Sequence, residues 1–174
     1  SYVKLDGMNL MFTYIAIAND PVDYENVASV ISQDFRRESD SFKKRDILNV
    51  LKPKIDASIE AAKGKNSRYF YTEYTADLGK YDFDAKFFPL NNLLNKGDGY
   101  YQYFNDASDW HWVELNTKKF EKIPVTDEAM ARKIEGMRSH YDRMKIVAYM
   151  FASDVKLGNK TVNMEITHLK LMDN

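Results

Sequence analysis

The sequence predicts an α+β fold: an antiparallel sheet of about five strands, with an N-terminal helical segment and one later helix packed against one face. Three observations carry this. Apolar residues recur at helical spacing from Tyr24 to Ala62. At Ser67 the period changes to 2, and aromatic and β-branched residues take over. Helices come before strands, with one helix between strands, so the βαβ alternation of a doubly wound sheet is missing. The expected organisation is one domain over 1–174, with a helical part at 1–64 and a sheet part at 67–174.

Met8 to Ala18 is apolar at nearly every position, which predicts a short buried helix. Asn19-Asp20-Pro21 stops it. Asp23 is the expected N-cap of a second helix whose apolar face is Tyr24, Val27, Ala28, Ile31 and Phe35. Ser39 or Asp40 opens a third, with Phe42, Ile47, Leu48 and Leu51 inward, an interruption at Pro53, and Ile55, Ile59 and Ala62 beyond it. Gly64 is expected to end it in a left-handed C′ conformation.

Arg68 to Thr75 reads as a strand. Leu78-Gly79-Lys80 is a turn, and Tyr81 to Leu90 is an irregular, ring-rich segment. Asn95 to Gly99 is a second turn. Tyr100–Phe104 and Trp110–Leu115 are strands joined by the turn-rich 105–109. Thr126 is the expected N-cap of a helix with Asp127 and Glu128 in its first turn. Met144–Ala152 and Thr161–Leu171 form the clearest hairpin, across Leu157-Gly158-Asn159. Val162, Met164 and Ile166 alternate with polar residues, and His168-Leu169 breaks that phase, which predicts a bulge or an added apolar contact.

Composition narrows function by exclusion. The 174 residues are 44% hydrophobic and 29% charged, with a net charge of -1. A broad basic field for nucleic acid is not expected. The absence of cysteine removes thiolate metal sites, thiol catalysis and disulfides. The longest apolar run, near Leu10–Ala18, is too short to span a bilayer, which takes roughly 20 residues. No dinucleotide or P-loop string occurs, so no cofactor is expected. Residues 36–68 hold ten basic residues against five acidic ones. That block reads as a solvated helix face, or as a surface for phosphate or an acidic partner. The chain opens Ser1-Tyr2-Val3 without an initiator Met, as removal of a signal peptide or trimming of a tag would leave it.

Few residues suggest chemistry. The three histidines, His111, His140 and His168, are scattered, and no metal site is expected. Ser41-Phe42-Lys43-Lys44 matches Ser-x-x-Lys without the companion motifs of penicillin-recognising enzymes. Asp82, Asp84 and Asp98 fall short of a calcium loop. Rings are the strongest signal: Phe, Tyr and Trp make up 14% of the chain. Most are expected in the core between sheet and helices. Tyr100 to Phe104, however, is aromatic on both strand faces, so some rings must lie outside it. Trp110 and Trp112 share one face of their strand, and Tyr101 and Tyr103 share one on its neighbour. With His111, these form the expected binding residues; such a patch stacks on a sugar, a peptide or a lipid tail.

The strings Tyr81-Asp82-Phe83, Phe88-Pro89-Leu90, Glu128-Ala129 with Arg132, and the closing hairpin resemble uncharacterised bacterial envelope domains of unknown function, over residues 68–172. The resemblance implies a bacterial, periplasmic or secreted setting and transfers no catalytic residue. The expected function is therefore non-enzymatic binding of a protein partner or envelope component through an aromatic-rich surface. The alternative is a small-ligand or lipid-binding protein with a pocket between sheet and helices, and a third reading is a hydrolase built on His140, Asp142 and a distant Ser or Asp.

Overall fold

The computed structural model describes residues 1–92, 100–103, 110–116 and 118–173, with backbone alone for 100–103, 110, 116, 118 and 173. The strands are β1 (Val3–Lys4), β2 (Tyr69–Thr75), β3 (Phe87–Pro89), β4 (Tyr100–Tyr103), β5 (Trp110–Asn116), β6 (Lys122–Pro124), β7 (Met144–Lys156) and β8 (Thr161–Asp173). The helices are α1 (Gly7–Ala18), α2 (Tyr24–Ile31), α3 (Gln33–Arg37), α4 (Ser41–Ala62) and α5 (Glu128–Ser139).

The main sheet runs β1-β2-β7-β8-β5-β4, and β3 pairs with β6 in a separate ribbon. This corrects the expected purely antiparallel sheet: the class is α+β, but the sheet is mixed. β1 is parallel to β2, and β5 is parallel to β8. The reason is connection length. All four N-terminal helices lie between β1 and β2, and such a long crossover returns the chain in the same direction, whereas hairpins reverse it. Period-2 alternation reports a half-buried strand; it does not report the direction of the neighbour.

Helix α1 explains its own sequence. Leu10, Tyr14 and Ile17 pack into the core against the sheet, with Ile146, Met150, Val162 and Met164. Met11, Phe12, Ile15 and Ala16 pack the other way, with Val27, Phe35, Ile55 and Ile59 of α2, α3 and α4. A helix covered on both sides has no polar stripe to show. It starts with a capping box: Asn9 N–H donates to Asp6, and Asp6 N–H donates to the Asn9 side chain. Helix α5 adds Ala131 and Ile134 to the sheet-side core, and the β3 segment adds Phe88 and Leu90.

Five local expectations change. The helix expected from Tyr24 to Phe35 breaks at Ser32, which is extended and whose hydroxyl caps Phe35 N–H (3.1 Å). Phe42, expected inward, is exposed. Helix α4 runs through Pro53, which lies on its exposed side, and Gly64 follows without a left-handed conformation (φ -68°). Asp127, one residue beyond Thr126, caps α5 by accepting from Met130 N–H (2.7 Å). The expected turns at 95–99 and 105–109 lie outside the described residues. The expected bulge is present: Tyr149 pairs with His168 but Met150 pairs with Ile166, leaving Thr167 unpaired between them.

Candidate functional site

The pleat sends alternate side chains of β2, β7 and β8 to opposite sides. Phe70, Ala148, Met150 and Ile166 turn toward the helices and are buried. Tyr69, Tyr71, Tyr149, Phe151 and His168 turn the other way. Register places Tyr69 opposite Phe151, Tyr71 opposite Tyr149, and Tyr149 opposite His168.

These rings form one continuous contact set. Tyr149 and His168 stack at 4.1 Å with an 11° interplanar angle. Tyr69 meets Phe151 at 4.9 Å, and Tyr71 meets Tyr149 at 6.2 Å. Tyr2, just before β1, lies across them edge-on, 5.3 Å from Tyr69, 5.0 Å from Tyr149 and 5.6 Å from His168. Its hydroxyl meets Thr167 Oγ1 at 2.9 Å, while Thr167 Oγ1 donates to Tyr149 O at 3.2 Å. The bulge builds this surface. Without it Thr167 would face Tyr149, and His168 would turn into the core. Offset and edge-to-face pairs contribute about 0.5–1.5 kcal/mol each beyond burial, so the rings hold one another in place. All except His168 are half-buried, and His168 is exposed.

The residues expected from sequence divide. Tyr101 pairs with Trp112, and Tyr103 with Trp110, through the β4–β5 backbone. Trp112 is half-buried and sits opposite Thr161, across β8 from the Tyr149 cluster. His111 does not join it. Its ring is 3% exposed, turned toward α1, 5.0 Å from the ring of Tyr14. Adjacent residues on a strand face opposite ways, so His111 and Trp112 serve different sides of the sheet. The Tyr14 hydroxyl donates to Leu157 O (3.1 Å), and burial, then Asp20, pushes it above the ordinary tyrosine range. Sequence reasoning missed Tyr2, Tyr69, Tyr71, Tyr149, Phe151 and His168 as one surface. The spacings Tyr69-x-Tyr71 and Tyr149-x-Phe151 held half the signal; the rest needed the pairing.

Catalytic geometry is weak elsewhere. His140 Nδ1 lies 2.7 Å from Gly136 O. A carbonyl only accepts, so that nitrogen carries the proton and offers Ser139 no base. Lys44 sits 4.7 Å over the Phe35 ring, engaged away from Ser41. Asp82 Oδ1 accepts from the N–H groups of Asp84 and Ala85 (3.0 and 2.8 Å), holding a turn; Asp98 lies outside the described residues. Among the described residues no cluster of three or more His, Asp or Glu has metal-binding geometry. Between sheet and helices, a cavity of about 140 Å³ touches Met11, Tyr14, Asn26, Val27, His111 and Lys160. Small-molecule pockets run to roughly 300–1,000 Å³, so this one is too small for such a ligand. No helix among the described residues is long and apolar enough to cross a membrane.

Fold and surface together define an α+β domain with helices on one side of a mixed sheet and a ring-lined surface on the other. Residues 23–133, well over half the chain, match the family described as Domain of unknown function (DUF4852), and the chain belongs to that family. No curated protein and no solved structure matches it. The match reaches from α2 into α5. It includes α2, α3 and α4, which lie outside the 68–172 span of the resemblance seen in the sequence, and begins after α1.

Proposed function

We propose that this chain is a non-enzymatic binding domain of the bacterial envelope that docks a partner protein on the ring-bearing side of its sheet. One observation carries the reading: six rings, of Tyr2, Tyr69, Tyr71, Tyr149, Phe151 and His168, touch one another on the side away from the helices. Rigid rings with polar tips give large contact area at low entropy cost, and Tyr is enriched where interfaces concentrate their binding energy. Trp112, half-buried on β5, extends the aromatic character across β8. The envelope setting rests on the resemblance of residues 68–172.

The test is photo-crosslinking in the native host, with p-benzoylphenylalanine in place of Tyr71 and, as control, of exposed Lys43 on α4. The expected result is one discrete protein adduct from position 71 and none from 43. No adduct at 71, or the same adducts from both positions, overturns the reading.

A further inference from the structure

A second feature lies away from the sheet. A groove of about 520 Å³ opens between the turn after Tyr81 and helix α5, within the roughly 300–1,000 Å³ of small-molecule sites. Its lining includes Tyr81, Phe83, Thr126, Glu128, Arg132 and Glu135. We propose that this groove binds a neutral saccharide, independently of the sheet surface.

The first argument is shape. The Tyr81 and Phe83 rings stand 5.3 Å apart at 83°, a floor and a wall. A ring face offers the C–H side of a pyranose an apolar, polarisable platform. Phe83 is 80% exposed, an unusual place for a phenylalanine, and its turn is rigidly built. Asp82 caps the turn as described above, Lys86 N–H donates to Asp82 O (2.8 Å), and Val125 N–H donates to Lys86 O (2.9 Å). Lys86 takes the left-handed region (φ 56°), a conformation that costs a non-glycine residue free energy. A ring fixed in advance loses little freedom when a ligand covers it.

The second argument is charge. Lys86 and Arg132 balance Glu128 and Glu135 along the lining. Arg132 donates to Glu128 (3.2 and 2.7 Å). Glu135 accepts a two-pronged pair from Arg138 (2.9 and 2.5 Å) and the N–H of Tyr81. A charged ligand would have to compete with these pairs. Hydroxyl groups need not: they donate to the carboxylates' remaining lone pairs and accept from unused guanidinium N–H groups. The Arg138 fork also holds the Glu135 carboxyl below its usual range. It stays ionised near neutral pH, an acceptor for sugar hydroxyl groups.

The test titrates the purified chain with soluble neutral oligosaccharides of glucose, galactose and N-acetylglucosamine, followed by amide NMR. At least one should give saturable shifts confined to residues 81–87 and 126–135. Phe83→Ala should weaken that binding about tenfold, the scale of one lost ring contact, and Arg132→Ala by a few-fold. Both side chains are exposed, so both variants should melt with the parent chain. The proposal fails if no sugar gives saturable shifts or if the shifts fall on the sheet. It also fails if Phe83→Ala binds like the parent or if glucuronate binds tighter than glucose.

Discussion

The two sides of the sheet contrast in chemistry. Toward the helices it presents Ile146, Ala148, Met150, Ala152, Val162 and Met164, all at most 1% exposed, with Phe70 as the principal ring. Away from them, the same strands present Tyr69, Tyr71, Tyr149, Phe151 and His168 among charged neighbours such as Glu73 and Glu165. Phe70 and Tyr74 meet the expectation of rings in the core, and Tyr69, Tyr71, Tyr149 and Phe151 lie outside it. Close packing against α1 favours small and branched aliphatics, which fill the narrow space between layers. The difference teaches that most of the rings on β2, β7 and β8 serve the surface, while Phe12, Phe35, Phe70 and Phe88 stay in the core among aliphatic side chains.

The contrast can be broken or sharpened experimentally. The largest expected effect is Ile146→Ala, a cavity in the aliphatic side, at about 3 kcal/mol in urea unfolding. Tyr149→Ala should cost less, about 1–2 kcal/mol, because water fills the space its half-buried ring leaves. Equal losses would erase the distinction. A smaller effect of opposite sign is expected at Tyr74, whose hydroxyl is buried without a hydrogen-bond partner among the described residues and whose ionisation burial pushes well above the ordinary range. Removing an unsatisfied hydroxyl relieves a desolvation cost, so Tyr74→Phe should raise stability by about 1 kcal/mol in the same assay. The smallest effect is pH dependence at Glu135. Its folded-state carboxyl lies below the ordinary 4.5, so its contribution is complete above that pH and is lost as pH falls through the lower folded value. Glu135→Gln should flatten that part of the acid limb in thermal melts.

Much of the fold was legible in the sequence. The all-apolar stretch Met8–Ala18 marked α1 as buried, and the broken alternation at His168-Leu169 marked the bulge. Strand direction was not legible, because it depends on where the long crossovers return the chain. Nor was β1, two residues long with no period of its own. The candidate surface was half legible. Ring spacing on β2 and β7 was visible, but Tyr2 reaches the cluster only through β1, and His168 only because Thr167 bulges out. His111 misled because its ring chemistry suggested a surface, while its strand parity placed it under α1.

The most direct test of the central claim combines both sides of the contrast in one measurement. The Tyr71 photo-crosslink is repeated in a Tyr149→Ala/His168→Ala background and in an Ile146→Ala background, each at a temperature where the chain remains folded. The account predicts that the adduct disappears in the first and persists in the second. An adduct that survives loss of the Tyr149–His168 stack, or that vanishes equally in both, would contradict it.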